Sequence, residues 1–360
     1  MSPINIAQHR LYHQHLTANP FEKPVDVVDW LVAVQAQDYF GAKWALGLRL
    51  RQDVHDADLD RAFNAGDILR THVLRPTWHF VTPTDIRWLL ALTAPRVLAA
   101  SATMYRKLEL DDITLKRGYR ALTKALHDGQ HLTREELSAA LGKAGIAATG
   151  QRLAYLMMQA ELIGLICSGP RRGKQFTYAL LEERVPPVAT LQRDESLATL
   201  ARRYFTSHGP ATAQDFAKWS GLTIADAKRG LEMVGAQLQH ETLNGAEYWF
   251  SSSVMPINAR RATPTAYLLS VYDEYIIGYH DRSMIAAPEI AAKLFTMGNA
   301  LTAVIVVDGQ MVGTWRRMLD KDAVVIETNL FAPLTKAQSR ALATATQRYG
   351  EFLEKSVVPT

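Results

Sequence analysis

The order of helices and strands between residues 111 and 180 constrains the fold of this chain more than any other feature. The predicted elements are a helix near 114–127, a helix after Thr133 and Glu136 that ends near 143, a helix over 151–163, and two strands at 165–168 and 175–180. The residue pair before the second helix matches a capping box, which marks a helix start. Three helices followed by a hairpin is the order of a winged helix, a variant of the helix-turn-helix.

The same order recurs about 80 residues later, which indicates an internal repeat of architecture. Its predicted elements are a helix at 194–207, a cap at Thr212 with Asp215 three residues on, a helix at 223–234, and strands at 237–242 and 247–251. The two strands flank Asn244-Gly245, the dipeptide that tight hairpin turns prefer. Two winged helices are therefore predicted from local pattern alone.

The regions on either side of the two units differ from them in pattern. Near the start, apolar residues at helical spacing after Pro24 predict a helix over 24–35, and alternation predicts a strand over 71–81 with Arg75, Thr77 and His79 on one face. Near the end, the pattern predicts strands at 301–307, 310–316 and 323–327 and a helix at 335–354. The last part is thus expected to be a small α+β subdomain.

Composition limits the class of protein and its compartment. The 360 residues are 48% hydrophobic and carry a net charge of only +4, so a globular chain of two or more subdomains is expected and charge alone indicates no partner. A single cysteine, Cys167, leaves no disulfide framework. No signal peptide and no apolar run of about 18 residues is apparent, so we expect a cytoplasmic protein without membrane contact. His9, His13 and His15 are interpreted as surface histidines, and no metal or other cofactor is expected.

Basic residues at two turns are candidates for phosphate contacts. Arg171, Arg172 and Lys174 lie in the predicted wing of the first repeat, where cations can reach a nucleic acid backbone. Arg316 and Arg317, beside Trp315, form a second candidate. The alternative in both cases is a solvated turn without a partner. Phosphate-binding glycine loops, paired zinc-binding histidines and serine nucleophile elbows are not found.

Gln35 and Gln37 are the third candidate constellation. On a continuing helix their side chains would point about 200° apart, whereas in extended geometry they would lie on one side with Ala36 on the other. On spacing alone, glutamines that solvate the free carbonyls of a helix end are the favoured interpretation. Asp273, Glu274 and Asp281 are interpreted as structural residues that order Arg282.

Four segments resemble the AlkZ and YcaQ family of winged-helix DNA glycosylases, and the likeness covers nearly the whole chain. The segments are Leu31–Gln37 (LVAVQAQ), Leu74–Val81 (LRPTWHFV), Tyr272–Arg282 (YDEYIIGYHDR) and Val307–Arg317 (VDGQMVGTWRR). The resemblance implies three tandem winged helices around a DNA channel and catalysis by Gln35 and Gln37. A glutamine at the second motif position resembles the AlkZ branch, which removes bulky alkylated purines and unhooks interstrand crosslinks.

The sequence and the resemblance together predict a mainly helical α+β chain with modules at 1–110, 111–190 and 191–260 and a C-terminal subdomain at 261–360. The expected function is a monofunctional DNA glycosylase, acting as a monomer on double-stranded DNA with alkylated or crosslinked purines. Gln37 is assigned to orient a water and Gln35 to support it, while Arg75, Thr77 and His79 are expected near the DNA. For His79 a purely structural role is an equal alternative. A noncatalytic DNA-binding protein, such as a transcription regulator, is the competing function.

Overall fold

The computed structural model describes residues 4–187, 191–253, 263–296 and 302–359. The chain is a mixed α+β protein in which three small sheets and one five-stranded sheet are set among helices. Within these ranges no helix is both long and apolar enough to cross a lipid bilayer.

The first part of the chain forms helices around a three-stranded sheet. Its elements are α1 (Ile6–His13), α2 (Pro24–Leu31), β1 (Val34–Gln35), α3 (Tyr39–Gly47), α4 (Asp56–Ala65), β2 (Leu69–His72), β3 (Trp78–Val81) and α5 (Ile86–Lys107). The strand order is β1-β3-β2, and both pairings are antiparallel.

Two predictions in this part are wrong in their bounds. The helix predicted over 24–35 ends at Leu31, where Val32 adopts φ 70° and ψ −47°, a conformation that a β-branched residue rarely takes. The strand predicted over 71–81 is broken after His72 and resumes at Trp78, with Leu74 at φ 63° between them. The predicted common strand face of Arg75, Thr77 and His79 therefore does not exist. Buried packing of the Val32 and Leu74 side chains holds these two turns in place.

The second part has the predicted order of elements. It contains α6 (Asp112–Leu126), β4 (Leu132–Thr133), α7 (Arg134–Lys143), α8 (Gly150–Leu162), β5 (Ile166–Ser168), β6 (Thr177–Leu180) and the short α9 (Leu181–Arg184). The capping box is confirmed, because the Thr133 hydroxyl accepts from the Glu136 N–H and the Glu136 carboxylate accepts from the Thr133 N–H.

The third part repeats this order with a two-stranded sheet. It contains α10 (Arg193–Ser207), α11 (Ala213–Ser220), α12 (Ile224–Val234), a 3₁₀ turn (Gly235–Gln237), β7 (Gln239–Leu243) and β8 (Ala246–Phe250). The predicted cap at Thr212 and Asp215 is confirmed. Asn244 and Gly245 join β7 to β8 with φ 51° and 77°, the left-handed conformations that a tight hairpin turn requires.

The last part forms a mixed sheet with order β13-β12-β11-β10-β9. Its elements are β9 (Ala266–Leu269), α13 (Glu274–Ile277), α14 (Pro288–Thr296), β10 (Val304–Val307), β11 (Gln310–Leu319), β12 (Ala323–Leu330), α15 (Lys336–Phe352) and β13 (Ser356–Pro359). The predicted strands and final helix are present, although residue 301 and the predicted module boundary at 260 lie outside the described residues. The sheet shares one hydrophobic core with the first part, in which Leu46 and Phe80 join Leu268, Ile305 and Phe352.

A buried ion pair also joins the first part of the chain to the last part. Arg49, just after α3, donates Nη2 to Asp273 Oδ1 and Nη1 to Asp273 Oδ2, each at 3.0 Å, and both side chains are fully buried. Arg49 also donates to Gln14 and Ala45 carbonyl oxygens, while Asp273 caps α13. Both charged side chains of this buried pair are therefore fully hydrogen-bonded.

We expect Arg49→Met to lower the free energy of unfolding by about 3–5 kcal/mol, because it leaves the Asp273 carboxylate buried without a countercharge. The matched control is Arg51→Met, since Arg51 pairs with Glu22 on the surface with its side chain 54% exposed and should change the value by less than about 1 kcal/mol. Urea unfolding measures both. If the two variants lost equal amounts of unfolding free energy, the buried ion pair would stabilise the fold no more than the surface pair does.

Candidate functional site

Residues 34–37 lie beyond the end of the helix, with Val34 and Gln35 in β1 and a bend at Gln37. Gln35 pairs with His79 across the β1–β3 ladder, and the Ala36 N–H donates to the Trp78 carbonyl at 2.7 Å. Gln35 is buried and Gln37 is exposed. The helical alternative for this motif is therefore excluded, and the segment is fixed by sheet hydrogen bonds.

Gln35 is held at both its backbone and its side chain. Its N–H donates to Glu274 Oε1 at 3.0 Å, and its side-chain Oε1 accepts from Arg75 Nη2 at 2.8 Å. Because a guanidinium has only donors, the group that faces Arg75 must be the amide oxygen. Gln35 therefore presents a carbonyl dipole whose orientation is set by a cation.

His79 contacts the Arg75 guanidinium. Its Nδ1 lies 2.9 Å from the Thr77 carbonyl oxygen, and its Nε2 lies 3.4 Å from Arg75 Nη2. Burial, reinforced by the positive charge of Arg75, lowers the pKa of His79 to about 3. The neutral ring then donates from Nδ1 to Thr77 and offers Nε2 as an acceptor to Arg75. His79 is fully buried, so the structural alternative fits, and direct contact with a lesion or phosphate does not.

Glu274 supplies the negative charge of the site. Its Oε2 accepts from Trp219 Nε1 at 2.9 Å and lies 3.4 Å from His208 Nε2, while its Oε1 accepts from the Gln35 N–H. Burial alone would raise the pKa of this carboxyl, but contacts with His208 and Gln35 and the nearby Arg75 lower it. Glu274 is thus an ionised carboxylate inside the protein, with partners for both oxygens.

Gln37 and Ala36 follow Gln35 in the chain and lead from these buried contacts to the protein surface. Gln37 Oε1 lies 3.4 Å from the Trp78 N–H, a long contact for an exposed side chain. The Ala36 carbonyl accepts from Arg70 Nε at 3.0 Å. The Arg70 guanidinium lies over the rings of Trp78 and Phe176, with centroid distances of 4.3 and 4.7 Å. Arg70 therefore fixes the residue between the two glutamines.

A cleft of about 660 Å³ opens beside this point, between the first and second parts of the chain. Arg70, Trp78 and Phe176 line it on one side, and Arg134 and Lys174 add positive charge on the other. Gln35 and His79 do not line this cleft, whereas Gln37 lies next to it through its contact with Trp78. The cleft combines cations with an aromatic face, a combination suited to nucleic acid.

The predicted wing residues have different surroundings. Arg171 is turned inward, with its side chain 10% exposed, and pairs with Asp60 at 3.1 Å. Arg172 is exposed and pairs with Glu136 at 2.7 Å. Lys174 is exposed at the cleft. The structure therefore places Arg172 and Lys174 where the sequence predicted, while Arg171 binds the first part of the chain instead of facing solvent.

Arg316 and Arg317 also differ from each other in exposure. Arg316 is 76% exposed and pairs with Glu327 across β11 and β12. Arg317 donates to the Tyr349 hydroxyl, and burial lowers its pKa despite the opposing effects of Asp38 and Asp56. Of these two arginines, only Arg316 has an exposed side chain, and it is already paired.

Sequence reasoning missed the roles of Arg70 and Glu274. The interpretation of Asp273 as structural agrees with its ion pair to Arg49, but Glu274 belongs to the glutamine site. Arg282 is ordered by the Ile276 carbonyl. The only signal for Glu274 was its place in the segment Tyr272–Arg282 that resembles the family. No local pattern could link it to Gln35, which lies 239 residues away.

The interpretation of the early histidines as surface residues is wrong for His13, which is fully buried and contacts the Thr206 carbonyl oxygen at 2.9 Å. His9 and His13 stack with their centroids 6.4 Å apart. Within the described ranges, no three His, Cys, Asp or Glu residues are grouped as metal ligands would be.

Comparison with known proteins identifies the family. The sequence profile described as "DNA glycosylase AlkZ-like" matches residues 28–352, which include both glutamines, Arg75, His79 and Glu274. The chain belongs to the AlkZ-like DNA glycosylase family. Its substrate is therefore DNA, and the competing function as a noncatalytic regulator is not favoured.

Two further comparisons support this assignment. A curated relative from Streptomyces sahachiroi, named an interstrand DNA cross-link repair glycosylase, is 25% identical over 341 residues, which are 88% of each chain. The solved structure of the DNA glycosylase AlkZ of the same organism is 20% identical and superposes with a TM-score of 0.79 over 99% of this chain and 98% of that one. The second comparison shows that this glycosylase has the same fold as AlkZ.

We expect the buried, neutral His79 to make stability fall with acid. The unfolded chain binds a proton on this ring near pH 6.5, whereas the folded chain does so only near pH 3, so stability is fully present above pH 6.5 and is lost as the pH falls toward 3. Between pH 6 and 4, unfolding free energies of His79→Gln should depend on pH less steeply than those of the wild type, by about 1.4 kcal/mol per pH unit. Above pH 7.5 the two slopes should coincide. Identical slopes in the acid range would contradict a neutral His79.

Proposed function

We propose that this DNA glycosylase hydrolyses the N-glycosidic bond of purines alkylated at N7 or N3, including purines in interstrand crosslinks. The observation that carries the proposal is the pairing of an exposed Gln37 with a rigidly held Gln35 on one extended segment beside a cationic, aromatic cleft. The name of the Streptomyces relative supports the crosslinked substrate.

The chemistry suits neutral amides. A purine alkylated at N7 or N3 carries positive charge, so it departs with little help from a general acid. Catalysis then requires an oriented water and negative dipoles beside the developing oxocarbenium ion. Carbonyl oxygens of glutamine provide both without bringing in a charge that must be desolvated.

The surroundings of the two glutamines support separate roles. Gln37 is exposed and makes only a long contact through Oε1, so its amide is available to a water molecule. Gln35 is buried, and Arg75 fixes its oxygen. We therefore assign Gln37 to orient the attacking water and Gln35 to support it from the position in which Arg75 holds its amide. Arg75 and His79 are positioning residues in this scheme.

We further propose that the DNA duplex is held by three winged-helix modules, at 1–110, 111–190 and 191–260, with residues 261–360 completing the first. The helix and hairpin order of the second and third parts supports this division. A cleft formed within one chain supports a monomer. Since the segment of Gln35 and Gln37 contains no lysine to form a Schiff base, a monofunctional hydrolase is proposed.

We expect Gln37→Ala and Gln35→Ala each to slow base excision by about 10²-fold or more, because each removes an oriented dipole that acts in the transition state. The measurement is single-turnover release of 7-methylguanine from duplex DNA, with the abasic product revealed by alkali. Gln347→Ala, which changes an exposed glutamine on α15, is the matched control and should be silent.

DNA affinity separates catalysis from binding and folding in this experiment. The double variant Gln35→Ala with Gln37→Ala should bind lesion-bearing duplex nearly as tightly as the wild type. Absence of abasic product from the wild-type enzyme at any concentration, with binding retained, would refute the proposed reaction. A parallel loss of affinity and rate in the variants would assign the glutamines to folding or binding instead.

We expect Lys174→Ala to weaken DNA binding and to reduce the slope of log affinity against log salt by about 0.9, the value for one phosphate contact. Arg172→Ala should have a similar or smaller effect, since Arg172 is already paired with Glu136. Lys336→Ala removes an exposed lysine at the start of α15 and serves as the control. An unchanged slope in Lys174→Ala would remove the wing from the DNA interface.

A further inference from the structure

The backbone of Trp78 contacts the segment that carries the two glutamines. Its carbonyl accepts from the Ala36 N–H at 2.7 Å, and its N–H lies 3.4 Å from Gln37 Oε1. Trp78 is also the first residue of β3, directly after the irregular stretch 73–77 that contains Arg75. The surroundings of Gln37 and the path of the chain at Arg75 therefore both depend on where Trp78 is held.

The side chain of Trp78 is anchored in the second part of the chain by Glu161, a residue of α8. The indole Nε1 donates to Glu161 Oε1 at 3.3 Å, and His72 Nδ1 donates to Glu161 Oε2. The imidazole and indole rings also pack together, with their centroids 4.4 Å apart. Since His72 ends β2 and Trp78 begins β3, one carboxylate holds both ends of the irregular stretch between these strands.

Glu161 is buried at a cost that an apolar residue would not carry. It is 1% exposed, and a carboxylate removed from water requires hydrogen bonds to its oxygens and a positive charge nearby. Its charge opposes the lowering of pKa that burial imposes on Arg70, whose Nε donates to the Ala36 carbonyl. What the carboxylate adds over an apolar side chain is a fixed position for the groups bonded to it.

We propose that Glu161 is a positioning residue for base excision, which holds the glutamine segment in place through Trp78 and His72. It fixes the start of β3 and with it the backbone groups of Trp78 that contact Ala36 and Gln37. Glu161 does not line the cationic cleft, so its effect is on the reaction of bound DNA rather than on binding. The inference rests on the proposed roles of the two glutamines.

Two replacements of Glu161 test this role. Glu161→Leu removes both acceptors, whereas Glu161→Gln keeps both contacts, because its amide oxygen accepts from Trp78 and its N–H donates to the other tautomer of His72. We expect Glu161→Leu to slow single-turnover release of 7-methylguanine from saturating duplex by about 10-fold, the effect of a loosened catalytic segment. The enzyme concentration that gives half the maximal rate should stay near the wild-type value, and Glu161→Gln should restore most of the rate.

Arg184→Met is the matched control for loss of stability. Arg184 also joins the second part of the chain to the first, but it does so by donating to the Phe63 and Asn64 carbonyl oxygens, away from the glutamine segment. This variant should lower the free energy of unfolding without slowing base release, and urea unfolding shows that every assay is run on folded protein. An equal loss of rate in Arg184→Met and Glu161→Leu would overturn the proposal.

A double-variant comparison shows whether Glu161 acts through the indole. Trp78→Phe keeps a ring but removes the N–H that bonds to the carboxylate. Adding Glu161→Leu to Trp78→Phe should therefore slow base release clearly less than Glu161→Leu slows the wild type, since contacting residues that act together are not additive. Fully additive losses, or an equal loss in Glu161→Gln and Glu161→Leu, would overturn the proposal.

Hydrogen exchange gives a measure that does not depend on catalysis. The Ala36 amide, which bonds to the Trp78 carbonyl, should exchange faster in Glu161→Leu than in the wild type, with no such change in Glu161→Gln or Arg184→Met. Unchanged exchange in Glu161→Leu would overturn the positioning role. Failure of the wild type to release the base while this exchange pattern persists would refute the proposed reaction and leave the placement of the segment by Glu161 standing.

Discussion

The buried carboxylate of Glu274 is the group on which the geometry of the site depends. It accepts from the Gln35 backbone in the first part of the chain and from Trp219 in the third, while it belongs to the last part itself. A carboxylate without water must have partners for its oxygens and a nearby positive charge. Arg75 is the nearby cation, and it holds the Gln35 side chain. The buried carboxylate therefore fixes the backbone of Gln35, and the nearby cation fixes the amide of this residue, which is proposed to take part in catalysis.

This arrangement explains how neutral side chains can serve as catalytic groups. A glutamine amide rotates easily, and a freely rotating dipole stabilises a transition state poorly because it must reorganise during the reaction. Arg75 prevents that rotation at Gln35, and His79, itself held by the Thr77 carbonyl, contacts Arg75. Arg70 fixes the Ala36 carbonyl between the two glutamines. In the proposed reaction, Arg75 and Arg70 thus act through the segment that carries the glutamines, and the alkylated purine itself supplies the positive charge.

The sequence predicted the features that depend on neighbouring residues. The caps at Thr133 and Thr212 and the Asn244-Gly245 turn are confirmed, because each depends on contacts within a few residues. The predictions over 24–35 and 71–81 fail at Val32 and Leu74, where buried packing imposes backbone conformations that local preference opposes.

The contacts of the site could not be predicted in the same way. Gln35 lies 40 residues from Arg75 and 239 from Glu274. The motif was visible in the sequence, but its partners depend on how distant parts of the chain pack. For the same reason, the sequence left DNA contact and a structural role as equal alternatives for His79, whereas the fold buries this ring beside Arg75.

The common core of the first and last parts has a consequence for biosynthesis. Leu46 and Phe80 pack against residues as late as Phe352, and the Gln35 backbone bonds to a residue made 239 positions later. At translation rates of about 5–20 residues per second, tens of seconds separate the synthesis of Gln35 from that of the residues that enclose it. One hydrophobic cluster contains only residues between Ala94 and Leu180, so that stretch can pack before the rest of the chain is made, but the site assembles only when nearly the whole chain has emerged. A truncated chain released early would thus lack Glu274 and the late core residues, and the fold itself couples assembly of the site to completion of synthesis.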